Sequence, residues 1–503
     1  MTRLAAFAIA LLLPALAPGG AWAIEVRETM HGVEIVDPFR WLEEVKSDDS
    51  QAWFRSQDDE ARRAFAAIPG RASLAERIRS LDLLRGVAVL GILMVNVWTF
   101  AMPFPAAMNP DLPGFDQGPD RAAWWLVGLV FYHKMMPVFS MLFGAGIVLF
   151  TSRVEARGGR SGRRWFARQG WLWVIGLLHG YLLWNGDILL PYAVVGLILY
   201  RLRRLRPRAL VVLAVVAMLL PKAGMYGLGE LLAMVRDTAV EAQALQETGQ
   251  ELTGQQAQFL EIWQESGGQW SPGPAEIEEL AAVMRGGYGG IFRHAGGELL
   301  MMHLVFYPLA ANWGIAGLML LGMALFKTGV LTAARSDGFY ARLAVIGYGV
   351  GLPGTWLGLR ELGAHFDDLV RVLQGGFILT EIFGPVVALG HIGLVMLAVR
   401  RRWLPQLQAR LAAAGRMAFT NYLAQTVIGV LVFYGYGLGL YGRLGRAEQL
   451  LVVLGVWLLQ LWWSPWWLAR YRFGPAEWLW RTLTYGRGQA LRRRPPATPG
   501  PVL

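Results

Sequence analysis

From Leu83 onward the chain alternates between long apolar runs and short polar ones. A helix needs about 20 apolar residues to cross the hydrocarbon core of a bilayer. Runs of that kind predict spans at 83–103, 128–151, 165–184, 187–203, 209–228, 300–326, 342–360, 375–399, 416–437 and 447–469. The predicted fold class is therefore all-α: a polytopic integral membrane helical bundle of about ten transmembrane helices behind a short soluble N-terminal leader. One long polar stretch interrupts the runs. Residues 229–297 carry Glu-rich amphipathic segments and the break Trp270-Ser271-Pro272-Gly273-Pro274. They predict an extracytoplasmic helical cap, or else a solvated spacer. That loop divides the bundle into halves at 78–228 and 298–488, and residues 489–503 form a basic, disordered tail.

The first 77 residues differ in kind. Residues 1–23 have the pattern of a secretory signal: Arg3, an apolar run from Leu4 to Leu13, and Ala21-Trp22-Ala23 as a cleavage site. Residues 24–77 are charged and polar, with helical stretches such as 50–67. The motifs there are His31-Gly32-Val33, Asp37-Pro38-Phe39-Arg40-Trp41-Leu42-Glu43, Ala52-Trp53 and Ile68-Pro69-Gly70-Arg71. Through them this segment resembles the extreme N-terminus of prolyl oligopeptidases. The chain carries no Gly-x-Ser-x-Gly nucleophile elbow, no propeller repeats and no hydrolase sheet pattern. Peptidase activity is not expected of the fragment.

Composition sharpens the membrane reading. Hydrophobic residues make up 55% of the 503 and charged residues only 17%, against about 25% charged in a typical globular chain. Mean hydropathy is +0.38. The 22 Trp and 61 Gly fit a membrane bundle better than a soluble enzyme. The net charge is +11. Its arginines sit in short clusters between apolar runs, which points to inner loops rather than to a nucleic-acid partner. With no Cys there is no disulfide and no thiolate chemistry.

Every second loop is basic, from Arg77 and Arg79, through Arg153–Arg164 and Arg201–Arg208, to Arg400–Arg402 and Arg470–Arg494. The intervening loops are acidic or neutral. The positive-inside rule places both ends of the bundle in the cytoplasm. A cleaved signal would start the bundle from the other side. The loop charges outweigh that single segment, and the conflict fits a leader fused to an independent bundle.

Few polar groups interrupt the spans. Arg85 and Asn96 are three helical turns apart on one face, about 16 Å, and Asp82 lies one turn before Arg85. Such residues face a cavity or a partner. Arg85 would hold an anion and Asn96 hydrogen-bond a substrate, or they would anchor and glue helices. His179 precedes the turn Trp184-Asn185-Gly186-Asp187, and Asp187 can cap the next helix. A carboxylate beside an imidazole raises its basicity and sets its tautomer, so His179 with Asp187 is the candidate catalytic pair. Lys134, near the outer boundary, would snorkel or meet an anion. Ser140 and Gly144 have the spacing of close helix packing. Glu381 sits mid-span, needs a partner such as His303 or His391, and is a candidate for proton coupling. Asn421, Tyr422 and Gln425 form one polar stripe, for packing or for substrate contact. The His residues have no ligand-like spacing, and no metal site is expected.

Residues 78–488 resemble the bacterial YeiB family of polytopic membrane proteins, catalogued as domain of unknown function 418. The carrying motifs run from Leu81 to Asn96 with Asp82, Arg85, Gly86 and Gly91. Others are Phe139–Gly146, His179 with Trp184–Asp187, Gly415–Tyr422, Phe433–Tyr436 and Phe473–Gly486. That family is similar to transmembrane acyltransferases, including heparan-alpha-glucosaminide N-acetyltransferase and the acyltransferase-three proteins. These pass an acyl group from cytoplasmic acyl-CoA to an extracytoplasmic sugar or related acceptor. Acyltransferase-three proteins carry Arg and His eleven positions apart in the first helix. The matching residues here are Arg85 and Asn96. The lysosomal enzyme has its catalytic His eleven positions later still, where this chain has Ala107.

The resemblance implies a bacterial inner-membrane acyltransferase using acyl-CoA, such as acetyl-CoA, with a small-molecule acceptor, the lipid bilayer as its surroundings and no nucleic acid. Arg85 and the basic loops would hold the donor phosphates, Asn96 would orient the thioester or acceptor, and His179 with Asp187 would act as base. The alternative is a transporter or exporter of a small solute, built on Glu381, His303 and His391 and on helices broken near Pro353 and Pro385.

Overall fold

In the computed structural model the described residues are 26–30, 33–37, 47–67, 71–112, 114–116, 118–267 and 273–493. The expected signal segment lies outside them. The chain divides into two units, Met1–Ala75 and Glu76–Leu503. In the first, β1 (Val26–Met30) pairs antiparallel with β2 (Val33–Asp37), Val26 opposite Asp37 and Met30 opposite Val33. Helix α1 (Asp48–Ala67) follows and covers the expected helical stretch. The hairpin was not anticipated. Five-residue strands are too short to stand out from a polar segment by alternation alone.

The second unit is helical. In chain order its elements are α2 (Arg71–Ala101, whose first five residues belong to the first unit), α3 (Phe104–Met108), α4 (Gly118–Val130), α5 (Met135–Ala156), α6 (Ser161–Leu182) and α7 (Leu189–Leu199). Next come α8 (Pro207–Glu247), α9 (Gly254–Gly267), α10 (Pro274–Met284), α11 (Tyr288–Met301) and α12 (Asn312–Lys327). The chain ends with α13 (Asp337–Ala364), α14 (Leu369–Arg371), α15 (Phe377–Arg400), α16 (Pro405–Arg416), α17 (Ala418–Phe433), α18 (Arg446–Arg470) and α19 (Pro475–Tyr485).

Each expected span coincides with helical segments, although 128–151 is interrupted by a turn at 131–134 between α4 and α5. Among the described residues, six helices are long and apolar enough to cross a membrane, and Ala418–Phe433 is a shorter apolar helix. The other expected spans, on α6, α7 and α13, are not among the six. Helix α7 has 11 residues, about 16 Å at 1.5 Å per residue, and α6 carries Arg163, Arg164 and Arg168. The outward faces are apolar: Val212 is 62% exposed on α8, Val345 71% on α13 and Leu451 69% on α18. Solvated surfaces do not gather such stripes, whereas a lipid-facing belt does.

The described residues of 229–297 are mostly helical, with short turns at 248–253 and 285–287. Helix α8 runs on past the apolar run, α9 packs back on it through Ala239, Ala242 and Leu260, and Ala281, Met284 and Ile291 of α10 and α11 join the main core. Prolines 353 and 385 do not break their helices, since α13 and α15 continue through them. Neighbouring helices re-satisfy the backbone groups that a proline frees in a membrane bundle. The irregular stretches are instead π-helical, at Met302–Ala311 and Val372–Gly376. Of the expected tail, residues 489–493 are among the described residues and 494–503 lie outside them. Arg472 N–H donates to Leu491 O, Arg493 N–H to Arg470 O, and Trp478 Nε1 to Gln489 O.

Close packing of α5 on α12 sets the core beneath the site. Gly144 lies against the Met319 backbone, and Gly322 against that of Met141, so neither position has room for a Cβ. Ser140 Oγ bonds the Tyr192 hydroxyl at 2.5 Å and ties α5 to α7. Gly144→Val must push the two helices apart, and overpacking of this kind costs about 1–3 kcal/mol. The expected result is a lower unfolding temperature in detergent. An unchanged midpoint would show that this contact does not constrain the bundle.

Candidate functional site

His179 sits in the last turn of α6, and Asp187 ends the turn that leads into α7. Their side chains are 1% and 0% exposed, with His179 Nδ1 2.7 Å from Asp187 Oδ1. The other carboxylate oxygen accepts the Leu190 N–H at 2.9 Å. Asp187 thus caps α7 from one residue before its Ile188 N-cap and orients His179 with the same group. Gly176, one turn before His179, lets the start of α7 come this close, because a Cβ there would meet the Leu190 amide.

A carboxylate only accepts, so Nδ1 carries the proton and Nε2 of the neutral ring is left as an acceptor. Nε2 lies 2.9 Å from Thr426 Oγ1 on α17. The Tyr422 ring, one turn earlier on α17, lies 5.2 Å from the His179 ring between centroids. Sequence reasoning missed Thr426. The signal was present: Asn421, Tyr422, Gln425 and Thr426 extend one polar stripe at helical spacing.

Tyr422 also lines a cavity of about 570 Å³ that opens among the arginines at the basic end of the bundle. Seven described arginines line it: Arg85, Arg153, Arg157, Arg164, Arg168, Arg416 and Arg481. Arg153, Arg157, Arg164 and Arg416 are exposed, and Arg85, Arg168 and Arg481 are half-buried. The deep end is made by Ile188, Leu189, Tyr192 and Tyr422. The lining therefore combines a cluster of arginines with aromatic and aliphatic side chains. The buried Tyr422 hydroxyl faces the Ile188 amide and has no acceptor for its own proton among the described residues.

The mouth is braced. Arg85 Nη1 pairs with Asp82 Oδ1 at 2.7 Å. The Arg168 guanidinium lies 3.4 Å over the Trp480 ring, whose Nε1 donates to Arg168 O. Glu477 accepts from the Phe419 amide at 2.8 Å, the Thr420 amide at 3.2 Å and the Thr420 hydroxyl at 2.5 Å. Burial pushes the Glu477 carboxyl up, and these hydrogen bonds pull against it. Elsewhere at this end, hydrogen bonds from Arg400 and Arg401 hold the Asp337 carboxyl below its usual range.

Other expected residues lie elsewhere. Asn96 is not among the described residues that line the cavity. Asn421 and Gln425 are interhelix glue: Asn421 bonds Ala414 O, Ser464 Oγ and Trp463 Nε1, and Gln425 bonds Val89 O and Gln460. Lys134 does not snorkel. It is fully buried and donates to Gly128 O at 2.6 Å, because the turn before α5 folds it inward. Glu381 pairs with Lys222 rather than with a histidine. His303 instead bonds the Tyr181 hydroxyl at 3.2 Å. His391 lies between the Tyr348 hydroxyl at 2.8 Å and Val130 O at 2.9 Å. Lys222, a lone cation inside the 209–228 run, was the overlooked signal. Among the described residues no cluster of three or more His, Asp or Glu could hold a metal ion.

Comparison with known proteins places these residues in a family. A profile described as a protein of unknown function (DUF418) matches residues 325–487, which include Tyr422, Thr426, Glu477 and Arg481. The "Uncharacterized protein YeiB" of Escherichia coli (strain K12) is 33% identical over 425 residues, covering 81% of this chain and 96% of that protein. The chain belongs to the YeiB family. A second YeiB-family relative, the "Uncharacterized protein YxaH" of Bacillus subtilis (strain 168), is 29% identical over 423 residues, covering 83% of this chain and 97% of its own. An "Uncharacterized 39.9 kDa protein in amylase 3'region" of Bacillus acidopullulyticus is 26% identical over 417 residues, covering 82% and 96%. A profile for the prolyl oligopeptidase N-terminal beta-propeller domain matches residues 23–89, running into α2.

The Lys222–Glu381 pair joins α8 to α15, with side chains 14% and 26% exposed. Removing one partner leaves the other charge uncompensated, at a cost of about 3 kcal/mol. Lys222→Met should lower stability by that order, and Lys222→Met with Glu381→Leu should recover most of it. Thermal unfolding of both variants in detergent checks this. A double variant no more stable than the single would mean that the pair does not act as a unit.

Proposed function

We propose that this chain is a bacterial inner-membrane acyltransferase that passes an acyl group from acyl-CoA on the cytoplasmic side to a sugar-like or other small acceptor on the far side. The observation that carries the reading is the two-ended cavity, with arginines at its mouth and Tyr422 at its floor against the His179–Asp187 pair. Guanidinium groups bind phosphates through charge-assisted hydrogen bonds, and a CoA headgroup is polyphosphorylated. Arg85, Arg168 and Arg481 line the way inward from the exposed arginines. The positive-inside rule puts that mouth in the cytoplasm, where acyl-CoA is made. The thioester then lies at the floor, where the Tyr422 hydroxyl is free to donate to the carbonyl oxygen as negative charge develops on it. In this reading Tyr422 takes the part that Asn96 was expected to play. His179 Nε2 accepts the proton of the attacking group, and Asp187 holds the tautomer. The acceptor approaches from the opposite side, where Asn185 bonds Glu298 and the Tyr307 hydroxyl bonds Asp187 O over the His179 turn.

The exporter reading draws on the Lys222–Glu381 pair. Its signature is flux that depends on Glu381 and needs no acyl-CoA.

Thermal unfolding with millimolar acetyl-CoA, succinyl-CoA or palmitoyl-CoA separates the two. A donor at a hundred times its Kd adds about 2.7 kcal/mol of stability. The shift should shrink in Arg85→Ala and Arg168→Ala. It should persist in His179→Ala, while acyl transfer to membrane acceptors falls roughly 100-fold. Absence of a shift with all three donors sinks the acyltransferase reading.

A further inference from the structure

We propose that Thr426 is the nucleophile of this site and carries the acyl group across it as a covalent ester. The inference rests on the acyltransferase reading and adds a residue and an intermediate to it.

The geometry of Thr426 differs from that of Thr151, Thr328 and Thr484. A helical threonine usually settles its hydroxyl on the carbonyl one turn back. Thr151 does so at 2.8 Å, Thr328 at 2.9 Å and Thr484 at 2.6 Å. In Thr426 that distance is 3.4 Å, while His179 Nε2 is at 2.9 Å. The hydroxyl has been drawn from its backbone acceptor to the imidazole. With Asp187 on Nδ1, the three side chains make a carboxylate–imidazole–hydroxyl relay, the arrangement that activates a hydroxyl for attack. All three residues are 2% exposed or less.

Burial on both sides explains why a covalent carrier suits the site. Tyr422 separates the relay from the basic cavity. On the other side, the Tyr307–Asp187 and Asn185–Glu298 hydrogen bonds close the turn that carries Asp187. Direct transfer needs donor and acceptor together, hence both sides open at once and a water path through the bundle. A relay through Thr426 needs one side open at a time.

The step balances without a further reagent. Thr426 Oγ attacks the thioester carbonyl as His179 Nε2 takes its proton. The C–O bond forms, the C–S bond breaks, and His179 returns the proton to the leaving thiolate, which departs as free CoA. The acceptor hydroxyl or amine then attacks the Thr426 ester with His179 again as base. The acyl group leaves on the acceptor, and Thr426 recovers its proton.

The test uses the full chain in detergent with radiolabelled acetyl-CoA, and in parallel palmitoyl-CoA, without added acceptor. After an acid quench, bound label is counted and peptides are read by mass spectrometry. The expected result is up to one acyl group per chain on the peptide holding Thr426, released by mild alkali as an oxygen ester is. Thr426→Ser should keep the label, Thr426→Val should reduce it to background, and His179→Ala should slow labelling roughly 100-fold. The acetyl-CoA thermal shift, measured on each variant, shows that the cavity is intact. If Thr426→Val does not fold, the wild-type and Thr426→Ser peptides decide the matter. CoA release and transfer to extracted membrane acceptors with no label on Thr426 overturn the carrier and leave acyl transfer standing. No CoA release from either donor overturns both.

Discussion

The carboxylate of Asp187 is out of reach of water inside an apolar bundle, so both of its oxygens have to be answered by protein donors. One takes the Nδ1 proton of His179 and the other takes the first free amide of α7. Much of the neighbourhood follows from that pairing. Helix α7 must start beside the end of α6, which requires the glycine at 176. The imidazole must present Nε2 to α17, which brings Thr426 and Tyr422 to the same point.

Elsewhere the bundle handles its polar side chains by pairing them off. Asn421, Gln425, Gln460 and Ser464 close a network between α17 and α18 that reaches the Val89 carbonyl of α2. Arg446 is fully buried, and its guanidinium donates to the Phe115, Ala106 and Asn109 carbonyls, pinning the segment between α3 and α4. Lys222 and Glu381 neutralise each other. The Tyr422 hydroxyl lines the cavity and has no acceptor among the described residues; some other buried polar atoms, such as Gln425 Oε1 and Arg446 Nε, also lack a partner there.

The cavity and the relay together form a site with an electrostatic direction. Four of its arginines are exposed, while Tyr192 and Tyr422 in the same lining are buried. A polyanion carrying an apolar or neutral tail fits that lining head outward. The aromatic wall of Tyr422 keeps the relay dry, which strengthens the hydrogen bonds within it.

The sequence by itself determined the class of this molecule. Apolar runs long enough for a bilayer can only be helices there, because lipid offers no partner for an unpaired backbone group. The same local logic made Asp82–Arg85 and His179–Asp187 legible, since a helical turn or a tight loop brings each pair together. What only the tertiary structure decided is everything that depends on which helix lies beside which. Glu381 meets Lys222, 159 positions earlier in the chain, and not a histidine. Asn421 and Gln425 face α18 while Tyr422 and Thr426 face α6, and one polar stripe could not say which way it turned. The arginine cavity gathers residues from α2, α5, α6, α16 and α19, and apart from Arg85 their separate positions in the sequence read only as basic segments. Local spacing is fixed by the geometry of a single helix, but the partner of a buried charge is chosen by the packing of many.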